Sequence, residues 1–112
     1  MHMKPYERYY HEVSQEDAEP ALGLLQRMAT SAFETPTKYA GWKDYGYPVT
    51  FIKCSQDTAV PPELCDKYIA RMRDAGVKVD VETIEAGHCA HFTAPSAVVG
   101  VMEKVASSIE SS

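Results

Sequence analysis

The clearest order in this chain lies in its second half, where short apolar runs alternate with apolar residues at helical spacing. Val49 to Cys54 reads Val-Thr-Phe-Ile-Lys-Cys, a β-branched and aromatic run that favours extended backbone. Pro48 precedes it without removing a ladder donor from its middle. Pro61-Pro62 then leads a predicted helix to about Ala75, with Leu64, Cys65, Tyr68, Ile69 and Met72 on its apolar face. Gly76 supplies the C-cap, because glycine accepts positive φ at no steric cost. Cys65 reads there as a small buried hydrophobe rather than a nucleophile. Val77 to Ile84 alternates, with Val77, Val79 and Val81 set against Lys78, Asp80 and Glu82, so a half-exposed strand is expected over 78–84. Pro95-Ser96 opens a last helix, with Ser96 as cap and Val98, Val99, Met102, Val105, Ala106 and Ile109 on one face. Residues 107–112 are expected to fray.

The first half is less regular. Ser14 followed by Asp17 resembles a capping box, and Ala18, Ala21, Leu22, Leu25, Met28 and Ala29 continue at helical spacing, so a helix is expected over 14–31. Pro20 argues for a later start near Glu19, since its ring clashes in a helix interior. Residues 32–48 are punctuated by Pro36, Gly41, Gly46 and Pro48; a short helix over Pro36 to Trp42 and then a loop fit them. Residues 4–13 carry Tyr6, Tyr9, Tyr10 and His11 without a clean period and read as an extended anchoring arm.

The order helix, strand, helix, strand, helix is an α/β pattern. A strand-helix-strand unit implies parallel strands and a right-handed crossover. The strand 49–54 lacks alternation and reads as central, so its other neighbour is expected from a missing front half or from a second copy of the chain. Three regions follow: an arm over 1–13, a helical segment over 14–45 and an α/β core over 46–110.

Composition narrows the function. The chain has 112 residues, room for one domain. A formal charge of -5, and helix charges that mix Lys67, Arg71 and Arg73 with Glu63, Asp66 and Asp74, argue against nucleic acid. No apolar run approaches the roughly 20 residues that cross a bilayer, so no membrane partner is expected. Cys54, Cys65 and Cys89 form no C-x-x-C pair, and their odd number argues against a disulfide framework; a cytoplasmic setting is expected. Met1-His2-Met3 looks like a cloning remnant, which removes His2 from site arguments. No phosphate loop or dinucleotide motif is present, so no cofactor is expected.

Candidate chemistry sits at two loops, each following a strand. Asp57 lies in Cys54-Ser55-Gln56-Asp57-Thr58, and His88 in Ala86-Gly87-His88-Cys89-Ala90-His91. In a parallel sheet, functional groups gather beyond the carboxyl ends of the strands. An aspartate that takes a bond from one imidazole nitrogen fixes the ring and leaves the other nitrogen to accept a proton. The blander readings are a turn-capping Asp57 and a satisfied loop histidine. Asp57, His88, Cys89 and His91 together offer metal donors, but adjacent histidine and cysteine give poor tetrahedral geometry, so no metal is expected. Nothing in the sequence lowers the pKa of Cys89. The surroundings of Ser55 are not a G-x-S-x-G elbow, and no oxyanion segment is recognisable.

Pro48 to Pro61 resembles the acid-bearing strand and loop of the α/β-hydrolase superfamily, in its esterase and hydroxynitrile-lyase-like branch. Glu85 to Pro95 is similar to that family's histidine loop. The resemblance implies Asp57 as triad acid and His88 as triad base. It extends more weakly through Ser31 to Pro36 and Tyr39 to Trp42, over about residues 14 to 108, and implies the C-terminal portion of a three-layer fold.

Three functions fit. One is the C-terminal part of a hydrolase-like enzyme acting on a small apolar organic molecule. Another is a small dimeric enzyme working by general acid-base catalysis as a cyclase, isomerase or lyase. The last is a non-catalytic dimerisation or binding module. Tyr6, Tyr9, Phe33, Trp42, Cys89 and His91 are the pocket candidates around Asp57 and His88.

Overall fold

A computed structural model describes residues 4–110; Met1-His2-Met3 lies outside the described residues. Two parallel strands form the sheet, β1 (Val49–Cys54) and β2 (Val79–Ile84), in register from Val49 opposite Val79 to Cys54 opposite Ile84. Among the described residues four helices precede β1: α1 (Pro5–Tyr9), α2 (Gln15–Gly23), α3 (Thr30–Glu34) and α4 (Gly41–Asp44). The crossover helix is α5 (Pro62–Asp74), and α6 (Ala90–Thr93) and α7 (Pro95–Glu110) follow β2.

Each face of the pair has its own cluster. Ile69 and Met72 of α5 pack with Val79, flanked by Val49, Phe51 and Val77. Cys54, Ile84, Ala86 and Ala90 form the other cluster, covered by Val98 and Val101 of α7 and flanked by Ile52. Odd positions of β1 therefore face α5 and even positions face α7, as the two-residue strand period requires. Charges obey the same division: Lys53 reaches Asp66 of α5 at 2.7 Å, and Glu82 pairs with Lys104 of α7. The buried Cys65, Ile69 and Met72 recur every three or four residues along α5, one stripe of a 3.6-residue period. Burying each large side chain contributes roughly 1.5–3 kcal/mol.

The second half follows its pattern closely. β2 begins at Val79 rather than residue 77 or 78. Gly76 has φ 87° beyond the end of α5, the left-handed C-terminal conformation expected of it. Ser96 lies inside α7, which starts at Pro95 and stays helical to Glu110. Within the tail expected to fray, the Ser108 hydroxyl donates to the Val105 carbonyl at 2.7 Å. Among the described residues β1 has a neighbour on one side only, so it is not central.

Departures concentrate in the first half. Helix α2 starts at Gln15 behind the N-cap Ser14, whose hydroxyl accepts from the Asp17 N–H at 3.2 Å, and it tolerates Pro20 inside. It ends at Gly23, well short of residue 31, and Leu24, Leu25 and Met28 are exposed. No helix starts at Pro36; α3 and α4 flank it. The arm is not extended: α1 forms behind Pro5, a residue suited to a first helical turn. The Tyr6 hydroxyl donates to the carbonyl of buried Val13 at 2.6 Å, which folds the arm onto itself.

Candidate functional site

The site is built where the strand pairing continues past the ends of β1 and β2. Ser55 N–H donates to the Ile84 carbonyl at 2.9 Å, and Gln56 N–H to the Ala86 carbonyl at 3.0 Å. These bonds hold the Asp57 and His88 loops side by side. His88 Nδ1 lies 3.1 Å from Asp57 Oδ2 and 3.2 Å from Oδ1, across 31 residues of sequence.

Asp57 also performs the local task. Its Oδ1 accepts from the N–H groups of Ala59 and Val60, both at 2.9 Å. The turn-capping reading and the paired reading are therefore both met by one carboxylate. Those two N–H donors fix its orientation, so the oxygens facing His88 do not swing with solvent. The Asp57 side chain keeps 9% of its exposure and His88 keeps 35%. A shielded acid beside an accessible ring is the arrangement proton transfer needs. A carboxylate only accepts, so Nδ1–H is the donor in this contact.

The arm roofs this pair. Tyr9 lies with its ring centroid 5.3 Å from that of His88. The Thr58 hydroxyl, next to Asp57, reaches the carbonyls of Glu7 at 2.9 Å and Arg8 at 2.8 Å. Glu12 accepts from the Gly87 N–H, immediately before His88. Tyr10 packs edge-on against Phe92, ring centroids 6.3 Å apart.

The remaining pocket candidates divide. Cys89 is buried beside Tyr10; burial pushes its thiol pKa up, the Tyr10 hydroxyl opposes that, and the Asp57 charge adds to it. A thiol held protonated is a poor nucleophile. Burial and the neighbouring Cys89 likewise raise the Tyr10 hydroxyl. Tyr6 is occupied by Val13, and His91 is exposed on α6. Phe33 is 76% exposed on α3. Trp42 lines a groove with Val49, Phe51, Tyr68 and Met72, at the end of β1 opposite Asp57. Phe33 and Trp42 therefore do not join Tyr9 in one pocket. Among the described residues, no three His, Cys, Asp or Glu side chains are grouped as a metal centre requires. No helix among them is long and apolar enough to cross a membrane.

Sequence reasoning missed Thr58, Tyr10 and Glu12. A signal for the arm was present: Tyr6, Tyr9, Tyr10 and Val13 stand at i, i+3, i+4 and i+7, the spacing of a helical face. Nothing in the sequence pointed to the Glu12 contact.

A family model described as "Alpha/beta hydrolase family" matches residues 2–101. The chain is also 33% identical, over 89 residues, to probable hydrolase R7 of Phoma sp. (strain ATCC 20986 / MF5453). That match covers 79% of this chain and 35% of the relative, so the chain spans about a third of the relative's length. The family match corrects three expectations. Likeness to the family is not confined to a C-terminal portion over 14–108, since the match begins at residue 2 and takes in the arm. Nor is the fold of the described residues the three-layer portion expected. It is an α/β unit with a small open two-stranded sheet, matched along nearly the whole chain. A function framed on a C-terminal remnant gives way to that of an alpha/beta-hydrolase-family protein matched over nearly the whole chain.

Proposed function

Because the chain belongs to the alpha/beta hydrolase family, we propose that Asp57 and His88 are the acid and base of a hydrolytic site. The observation that carries this reading is the contact of His88 Nδ1 with both Asp57 oxygens, at 3.1 and 3.2 Å, beyond the carboxyl ends of adjacent parallel strands. His88 Nε2 takes a proton from a water molecule as that water's oxygen bonds to the substrate carbonyl carbon, and returns the proton to the leaving alcohol as its bond to that carbon breaks. Asp57 holds the ring in the productive tautomer and stabilises the imidazolium formed on the way. Tyr9, against the ring, narrows the approach and favours a small organic molecule with an apolar face. Three buried free thiols, Cys54, Cys65 and Cys89, support a reducing, cytoplasmic setting.

The test is hydrolysis of short-chain p-nitrophenyl esters by the purified chain and by His88→Ala, with circular dichroism as the check on folding. General acid-base catalysis contributes about 10²–10⁴-fold, so the variant should lose at least about 100-fold while keeping its spectrum. Turnover by a folded His88→Ala equal to that of the parent sinks the assignment, as does a parent with no turnover above buffer.

A further inference from the structure

We propose that Glu12 is a positioning residue for His88, its carboxylate holding the histidine loop onto Asp57 from the arm. This rests on the acid-base reading and deepens it. The Glu12 Oε2 atom accepts from the Gly87 N–H and from the Thr93 hydroxyl, the latter at 3.2 Å. Gly87 immediately precedes His88, and Thr93 ends α6, the helix that follows it. One carboxylate oxygen thus spans both ends of the segment that carries the base. Bonds from neutral donors to a carboxylate are stronger than neutral pairs.

Three further observations support a built contact. Gly87 is buried, and a Cβ placed there would sit 2.8 Å from His11 Cε1 and 2.9 Å from Glu12 Oε2. Only a residue without a side chain lets the carboxylate come this close. The same arm grips the other loop, through the Thr58 hydroxyl on the Glu7 and Arg8 carbonyls. Tyr9, between these grips, lies against the His88 ring. The arm therefore touches the acid's loop, the base's loop and the base itself. An anchoring contact with no bearing on the site would have no reason to bridge the segment around His88.

The experiment reads His88 directly by ¹⁵N chemical shifts of its ring, in the parent, Glu12→Ala, Glu12→Gln, Gly87→Ala and Asp57→Asn. Ester turnover is measured alongside. Glu12→Ala should convert a single tautomer into a mixture and lower kcat roughly 10- to 100-fold with KM little changed, as misplacement of a catalytic group does. Glu12→Gln, which keeps an acceptor oxygen, should restore most of both readouts. Gly87→Ala, which pushes the carboxylate away without removing it, should resemble Glu12→Ala. Should Glu12→Ala fail to fold, Glu12→Gln and Gly87→Ala decide: no recovery in the first together with no change in the second overturns the proposal. A His88 spectrum in folded Glu12→Ala identical to the parent's also overturns it. If Asp57→Asn moves the His88 signals and Glu12→Ala does not, the positioning role fails and the acid-base reading stands. If Asp57→Asn leaves them unmoved, the acid-base reading itself fails.

Discussion

Residues 24–48 and residues 49–94 are both rich in apolar and aromatic side chains, yet they end in opposite states. In the earlier stretch Leu24, Met28, Phe33, Tyr39, Tyr45 and Tyr47 are each more than 60% exposed. Its backbone hydrogen bonds, such as Thr35 to Ser31 and Lys43 to Ala40, span only three or four residues. Tyr45 and Tyr47 stack on each other, 6.1 Å apart. In the later stretch Ile69, Met72, Val79 and Ile84 are all under 10% exposed and meet partners from other elements. The radius of gyration is 16.2 Å, against roughly 13 Å for a compact domain of this length. Apolar content does not make a core. A parallel strand pair offers two flat faces on which helices can bury a stripe, whereas helices of four and five residues offer none.

The contrast can be broken most forcefully by truncating one side chain in each region. Ile69→Ala, at 4% exposure between α5 and the sheet, should cost about 2–5 kcal/mol in urea unfolding. Phe33→Ala should cost less than about 0.5 kcal/mol, as an exposed side chain does. Equal losses would mean that Phe33 has a partner in solution.

Glycines sharpen it next. Gly46 and Gly76 both have positive φ, 68° and 87°, so alanine strains each backbone by about 1–2 kcal/mol. At Gly76 the strain sits between α5 and β2 and should appear in full as lost global stability. At Gly46 the loop can relax, and the midpoint should barely move. Matching shifts would show the two regions to be one cooperative unit.

Limited proteolysis follows. Trypsin should cut after Arg27, Lys38 and Lys43 well before Lys67, Arg71 and Arg73, because local opening of few-contact segments is cheap. Early fragments ending in α5 would reverse the comparison.

The smallest effect concerns thiols. Burial raises the pKa of Cys54, Cys65 and Cys89, so at neutral pH less thiolate is present than in an unfolded chain. Iodoacetamide should label all three slowly in the native protein and faster in urea. Labelling that quickens only above the ordinary thiol range fits this sign; rapid native labelling at pH 7 contradicts it.

The same contrast governs what the sequence discloses. β1 is legible to the residue because a β-branched run between Pro48 and a polar turn has one good conformation. The ends of α5 are legible because Pro61-Pro62 and Gly76 act locally. Asp57 and His88 are legible as candidates because each sits on the loop after its strand. The helix expected over 14–31 fails past Gly23 because spacing at Leu25 and Met28 reports a possible face, not the surface that would cover it. The pocket joining Phe33 and Trp42 to Tyr9 fails for the same reason: aromatic residues carry no address. Glu12 is invisible because its partners, Gly87 and Thr93, are 75 and 81 residues away.

That long reach also orders the assembly of the molecule in time. The β1–α5–β2 unit closes over a short loop and can form from its own residues, while the grip of Glu12 on the histidine loop closes one of the widest loops in the chain. Loop-closure entropy rises with length, so the arm should dock after the sheet is made. Glu12→Ala should then leave the folding rate unchanged and quicken unfolding alone, as substitutions outside the nucleus do. A chain paused at the end of β2 would carry Asp57 and lack His88, so the proposed acid-base pair is completed only when the loop after β2 has been made.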